Sequence, residues 1–317
     1  MNFRPTAAIL IMIAFQFSCS QKKEQKKNAL QSEQVKVKDK MVPDKEDKIY
    51  RGNANLLTQK DIDEFGKKGY TFIAGNITIG DINAVESSEE DIRLDPLKTI
   101  KNIDGELVIT GFKNLKSTQG LENIERINGD FTLSGCGLKT FNTLEKLSII
   151  NGNLTIGSND FADEKLTEIK GFNNLIKVDN IYISGNSALQ ILNAFHKIEK
   201  TGTIQIINSS LEKVDSFTSL KTVQSFTVEY SSSLKEVDLQ KLETVSRLLG
   251  LHENTQYKGK ITMPNIRKVN HLYIVGNSNL ENYCDFSEAV KQNKIDTLSA
   301  YANKINLTKE QLKVKCR

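Results

Sequence analysis

Three histidines and four cysteines are the residues of this chain with the most chemistry in reach. His196, His252 and His271 could each serve as a general base, and many Ser and Asp residues could complete a Ser–His–Asp or Cys–His arrangement on paper. Nothing in the spacing selects one. There is no G-x-S-x-G elbow to expose a serine nucleophile. Nor is there a paired C-x-x-C cluster to start a metal site, and no cofactor is expected. Charge removes another class. The 317 residues carry a net charge of +4, but the first fifty hold ten basic groups against six acids, so the rest is neutral. Without an overall positive field, nucleic acid is not expected as a partner.

Whatever these residues do, a repeat must position them. From Gly75 onward a turn residue followed by apolar-x-apolar keeps returning. The pairs are Ile77/Ile79, Leu107/Ile109, Phe131/Leu133, Leu154/Ile156, Ile181/Ile183, Ile204/Ile206, Phe226/Val228, Leu249/Leu251 and Leu272/Ile274. Nine copies at a period near 23 residues predict a solenoid. Alternation puts both apolar residues of each pair inside and the middle one outside, as in a strand. Two further h-x-x-h pairs per period, such as Leu138/Phe141 and Leu144/Leu147, give each coil about three sides. No coil can bury its apolar face alone; stacking makes the core. Three residues beyond the strand stand Asn159, Asn186, Asn254 and Asn277, with Cys136 and Ser231 at the same offset. A side chain there can satisfy turn amides from inside the bend, so Cys136 reads as a buried structural residue rather than a reactive thiol.

The phrase G-x-L-x-I-x-x-N-x-x-L, with L-x-x-I before it, resembles the receptor L domain, a leucine-rich-repeat-like solenoid. The resemblance starts at residues 70–79 (YTFIAGNITI) and runs to about Phe286. It implies a binding or scaffold role without chemistry. Receptor L domains are rich in cysteine and this chain is not, so receptor-like signalling is not implied. The enzyme alternative is an exported parallel β-helix acting on polysaccharide, which would need clustered carboxylates. The outward strand positions are Thr78, Val108, Thr132, Thr155, Tyr182, Gln205, Thr227, Gly250 and Tyr273. None is acidic or basic, so this face reads as unsuited to acid–base work. It could still bind: Tyr182 and Tyr273, with Gln205, Tyr230, His252 and His271 nearby, place aromatic and neutral polar groups on one sheet. Exposed strands also favour Thr and Tyr for packing reasons alone.

The ends carry separate signals. Residues 1–4 begin with positive charge, 7–17 (AAILIMIAFQF) are apolar but too short to span a bilayer, and Ser18 precedes Cys19. The segment resembles a bacterial lipoprotein leader, although Gln16 stands where that family usually has an apolar residue. The resemblance implies a diacylglyceryl group on Cys19 and a membrane anchor. Residues 20–50 are too charged to fold alone and read as a basic tether. Residues 57–66 (LTQKDIDEFG) predict a capping helix, with Thr58 as N-cap, Gly66 as stop, and Ile62 and Phe65 facing the first coil. Residues 285–317 depart from the period and read as helical, with Ser287 and a Thr308-x-x-Gln311 box as caps. Cys284 and Cys316 bracket that segment, and in an exported protein they are candidates for a disulfide.

The expected organisation is a leader over 1–18, the lipidated Cys19 and tether over 19–50, a solenoid with an N-terminal helical cap over 51–286, and a C-terminal helical cap over 287–317. The expected fold is mainly β, a right-handed parallel β solenoid of about nine coils. The expected function is a non-catalytic, lipid-anchored envelope protein, at the outer membrane, that binds protein or glycan ligands in adhesion or recognition. A purely structural envelope module is the other non-enzymatic possibility.

Overall fold

The computed structural model describes residues 41–81, 88–157 and 165–316. The segment read as a leader, Cys19, most of the segment read as a tether, and Asn159 lie outside the described residues. The described chain is a parallel β solenoid of about ten turns, mainly β with few helices. Its long wall is an eleven-stranded sheet. Each apolar pair read from the sequence meets its counterpart one coil away: Leu107 pairs with Phe131, Ile181 with Ile204, Phe226 with Leu249. These side chains are buried throughout the stack, so each coil covers apolar surface of its neighbours.

Eleven strands exceed the nine expected, one more at each end. Ala54–Leu56 pairs with Ile77–Ile79, and Ile295–Tyr301 pairs with Lys268–Val275. The first escaped notice because Ala54 is a small stand-in for the usual branched residue. The second lies in the segment read as helical throughout. There the helices are confined to Cys284–Lys291 and Lys309–Lys315, with the last strand between them. Ser287 is not the cap of the first of these helices: Tyr283 precedes it without a side-chain cap, and Ser287 Oγ donates to the Cys284 carbonyl at 2.7 Å. Thr308 and Gln311 do form a reciprocal box. Cys284 and Cys316 are joined by a disulfide 32 residues apart, which on the chain-entropy model contributes about 3–4 kcal/mol.

The N-terminal boundary also moves. Ile49–Arg51 is already a strand, paired with Phe72–Ala74, and the Met41 amide donates to Asp104 Oδ1 at 3.2 Å. Folded chain therefore begins before residue 51. The helix Gln59–Lys67 has its capping box at Thr58 and Asp61 and buries Ile62. It follows two strands, so it belongs to the first coil instead of preceding it. Gly66 lies inside this helix; a Cβ there would collide with Pro96. Its absence lets the next coil pass close by.

The other walls are short. Five two- or three-residue strands from Ile49–Arg51 to Ile149–Ile150 line one of them. In these coils the pairs Asp104-Gly105, Asn128-Gly129 and Asn151-Gly152 turn the chain into the long wall. Asn128 Nδ2 donates to Asp104 Oδ1, and Asn151 Nδ2 to Asn128 Oδ1, both at 2.7 Å. From residue 200 onward those turn pairs are missing, and the corner opens. Short wall and long wall merge into strands of seven to nine residues: Lys200–Ile207, Thr222–Glu229, Thr244–His252, Lys268–Val275 and Ile295–Tyr301. Bulges at Val223/Ser225 and Val245/Leu248 mark what is left of the bend.

Two internal ladders tie the coils together. Phe141, Phe172, Phe195 and Phe217 stack with ring centroids 5.1, 5.5 and 5.6 Å apart. At the strand exits Asn186, Asn254 and Asn277 are fully buried, with Ser231 equally so and Cys136 nearly so. Asn277 Nδ2 donates to the Leu251 carbonyl at 2.9 Å, and its Oδ1 accepts from the Asn254 amide at 3.0 Å. Asn303 continues the row: its Oδ1 accepts from the Asn277 amide at 2.9 Å.

Replacing Asn277 with Ala strands a buried amide and a buried carbonyl, so it should lower unfolding free energy by about 2–4 kcal/mol. Asn277→Ser, the residue found at rung 231, should lose less. Denaturant titration of both variants checks the ranking, and equal losses would mean that the side-chain bonds are not what stabilises the bend.

Candidate functional site

The opened corner makes the outward face wide at its C-terminal end, and most of the residues singled out from sequence gather there. Alternation carries the outward row of Thr227 on to Glu229, that of Gly250 to His252, and that of Tyr273 to Val275. Tyr230 and Glu253 follow directly at the strand exits. Tyr230 packs edge-on against His252 at 5.3 Å between ring centroids, and His252 against Tyr273 at 5.8 Å. Tyr273 also meets His271 at 5.9 Å and Tyr301 at 6.1 Å. Tyr273 and Tyr301 share a hydroxyl–hydroxyl hydrogen bond of 2.9 Å, and His271 Nε2 lies 2.9 Å from Ser299 Oγ.

Two carboxylates flank the central imidazole. Glu229 Oε2 is 3.9 Å from His252 Nδ1, and Glu253 Oε1 is 3.8 Å from His252 Nε2. Gln205 reaches into the group, its Nε2 donating to Glu229 Oε1 at 3.0 Å. Tyr182 does not join them. It pairs with Gln205 and stands four strands from Tyr273, about 19 Å at the usual strand spacing. The third histidine, His196, lies on a different coil corner, where its Nε2 is 2.7 Å from Asn193 Oδ1.

Glu229, Glu253, Ser299 and Tyr301 were not singled out from sequence. Glu229 follows outward Thr227 by two, so strand alternation alone would have found it had the strand been known to run that far. Tyr301 sits in the strand read as helix, where Leu298 and Ala300 carry the inward alternation. The central row of this face is free of charge as expected, but the row beside it is not. The reading of a face without acids or bases is thereby corrected.

The local backbone is unusual. Strands exit through a left-handed residue, and at Gly111, Gly135, Gly185 and Gly276 glycine supplies it. Asn208, Tyr230, Glu253 and Ala302 adopt the same conformation with φ between 52° and 54°. For a residue with a Cβ this costs roughly 1–2 kcal/mol. Tyr230 and Glu253 are therefore held at the rim of the face at a conformational cost. Gly276 lies next to them without a side chain, and a Cβ there would collide with the Glu253 carboxylate.

Burial and the Tyr301 hydroxyl push the Tyr273 phenol well above its ordinary pKa, and the nearby Glu229 and Glu253 charges add to this. Burial also pushes the Glu229 carboxyl up, but His252 and the hydrogen bond from Gln205 outweigh it and hold the group below the ordinary carboxylate range. Among the described residues no group of three or more His, Cys, Asp or Glu is placed to hold a metal ion, and no helix is long and apolar enough to cross a membrane.

A depressed carboxyl pKa stabilises the fold above its unfolded value, near 4.3, and that contribution is lost as pH falls through the lower folded value. The stability difference between the wild type and Glu229→Gln should be constant from neutral pH to about pH 5 and shrink below it. Thermal unfolding of both proteins across pH 3–7 tests this; a difference that grows on acidification would contradict the assigned direction.

No family model matches the chain. Its sequence is 29% identical over 259 residues to Sporulation-specific protein 2 of Saccharomyces cerevisiae, an alignment that covers 73% of this chain and 50% of that protein. The chain thus spans about half the length of the curated relative it matches.

Proposed function

We propose that this protein is a lipid-anchored, non-catalytic recognition module of the cell envelope, binding a protein or glycan ligand on the C-terminal half of its long sheet. One observation carries the reading: Tyr230, His252, Tyr273 and Tyr301 form a continuous row of rings across four adjacent strands. Tyr230 and Tyr301 remain 48% and 52% exposed. Rings with hydroxyls at their tips combine apolar contact with hydrogen bonding, which suits a wet recognition surface. The αL strain at Tyr230 supports the same reading, since strained residues persist where function requires their placement. Rigid strands hold the row in position, so a ligand has little protein ordering to induce. The anchor rests on the leader resemblance at Cys19, and the basic residues of the tether would lie beside anionic headgroups.

Two experiments address the two halves of this proposal. Cys19→Ser should shift the protein from the membrane fraction to the soluble fraction; persistent membrane association would remove the lipid anchor. For the face, the full chain is screened against immobilised glycans and envelope proteins. Saturable binding should be lost in Tyr273→Ala and in Tyr230→Gly. The second variant relieves the left-handed strain and should unfold no earlier than wild type, so its loss of binding cannot be assigned to misfolding. Binding indifferent to both changes would place the site elsewhere.

A further inference from the structure

The aromatic row surrounds two carboxylates that no lysine or arginine among the described residues meets. At several places in the stack an acid of one coil is met by a lysine of a neighbour. Lys221 reaches Glu199 and Lys235 reaches Glu212, both at 2.8 Å, and Lys213 reaches Glu236 at 3.4 Å. Glu229 and Glu253 have no such lysine: among the described residues no Lys or Arg comes within ion-pair distance of either, and both approach His252 instead.

The sequence of the face repeats the point. The chain has 43 Lys and Arg residues, yet segments 203–208, 225–230, 248–253, 271–276 and 297–302 contain none of them. Glu229 and Glu253 are the two carboxylates in those five segments. They lie on either side of one imidazole, with Tyr230 packed against that ring from one strand and Tyr273 from the other. Glu253 is 41% exposed and Glu229 20% exposed at the side chain, so an incoming group can reach both.

Carboxylates without a lysine or arginine partner, walled by electron-rich rings, attract a positive charge by ion pairing and by cation–π contact together. The ring geometry helps to choose its carrier. Neighbouring rings meet at 65°, 68°, 90° and 87°, so no two of these neighbours make a flat platform over which successive sugar rings could stack. The rings instead form steep walls around a point. We propose that this site binds a lysine or arginine side chain presented by a partner protein, with Glu229 and Glu253 as its counter-charges and Tyr230 and Tyr273 as its aromatic walls. The proposal rests on the recognition reading above and specifies the charge and carrier of the ligand.

The test uses full-length protein labelled with fluorotyrosine, whose eight tyrosines are assigned by single Phe substitutions. A short Gly/Ser peptide carrying three lysines is titrated in. Saturable shifts are expected at Tyr230, Tyr273 and Tyr301, weakening as salt is added. The peptide with acetylated lysines should leave those signals in place. Glu229→Gln and Glu253→Gln should each weaken peptide binding about tenfold, while Glu125→Gln, on an exposed position elsewhere, should not. Equal binding of acetylated and free peptides, or undiminished binding in both Gln variants, would overturn the proposal. So would a peptide that moves none of these tyrosines, or a glucosamine oligomer that moves them at lower concentration than the peptide does. If any of these occurs while another ligand still binds in a Tyr273-dependent way, the cation is wrong and the recognition face survives. If Tyr230→Gly and Tyr273→Ala leave all binding intact, both fall.

Discussion

Everything in this molecule depends on one constraint: each inward apolar residue must find its equivalent one coil away, in register. A single coil of about 23 residues exposes more apolar surface than it can cover, so a coil is stable only as part of a stack. Parallel pairing of Leu107 with Phe131, or of Phe226 with Leu249, meets that need and satisfies the backbone in the same step. A one-residue slip would turn the inward row outward. The bends between walls then pose a second problem, because chain turning inside a core leaves amides and carbonyls without strand partners. Asn254 and Asn277 answer it by bonding to the coil before and the coil after, and Asn303 ends the row by bonding back to the coil of Asn277.

That regularity makes the departures informative. Where Asp-Gly or Asn-Gly follows the short wall strand, the corner is sharp and the long-wall strands stay at four residues. The pair is last present at Asn151-Gly152; Asp179-Asn180 takes its place in the next coil, and from residue 200 onward the corner straightens and the strands lengthen. The change extends the strands at their entry and draws His271 and Thr297 into the sheet, while Glu229 and His252 lie at the strand exits, in register with Ser184 and Ile207 of earlier coils. These exits are also where glycine is replaced, by Asn208, Tyr230 and Glu253, so the local conformational cost rises at the point where side chains accumulate.

Much of this was legible from residues alone. The apolar-x-apolar phrase identified the central strands, the offset Asn residues identified the ladder, and Thr58 and Thr308 identified two helix starts. The places that resisted were those where a local pattern competes with a tertiary one. Ile295–Tyr301 carries only a weak alternation between two helical stretches, and the Lys268–Val275 edge is what draws it into the sheet. Gly66 looked like a helix stop, but its smallness serves the passage of Pro96. Ala54 is too small to advertise a strand, yet it pairs in register like any other.

The sequence by itself determined the solenoid, its period, its inward rows and the neutrality of the central outward row, because those follow from side-chain periodicity that any stacked coil must respect. Only the tertiary structure decided which candidates meet. Tyr182 and Tyr273 occupy equivalent positions in the repeat, yet four strands separate them, whereas Glu229, His252 and Glu253 converge because adjacent strands lie side by side. Adjacency across a sheet depends on coil count, strand length and corner geometry. None of these is encoded within a single period.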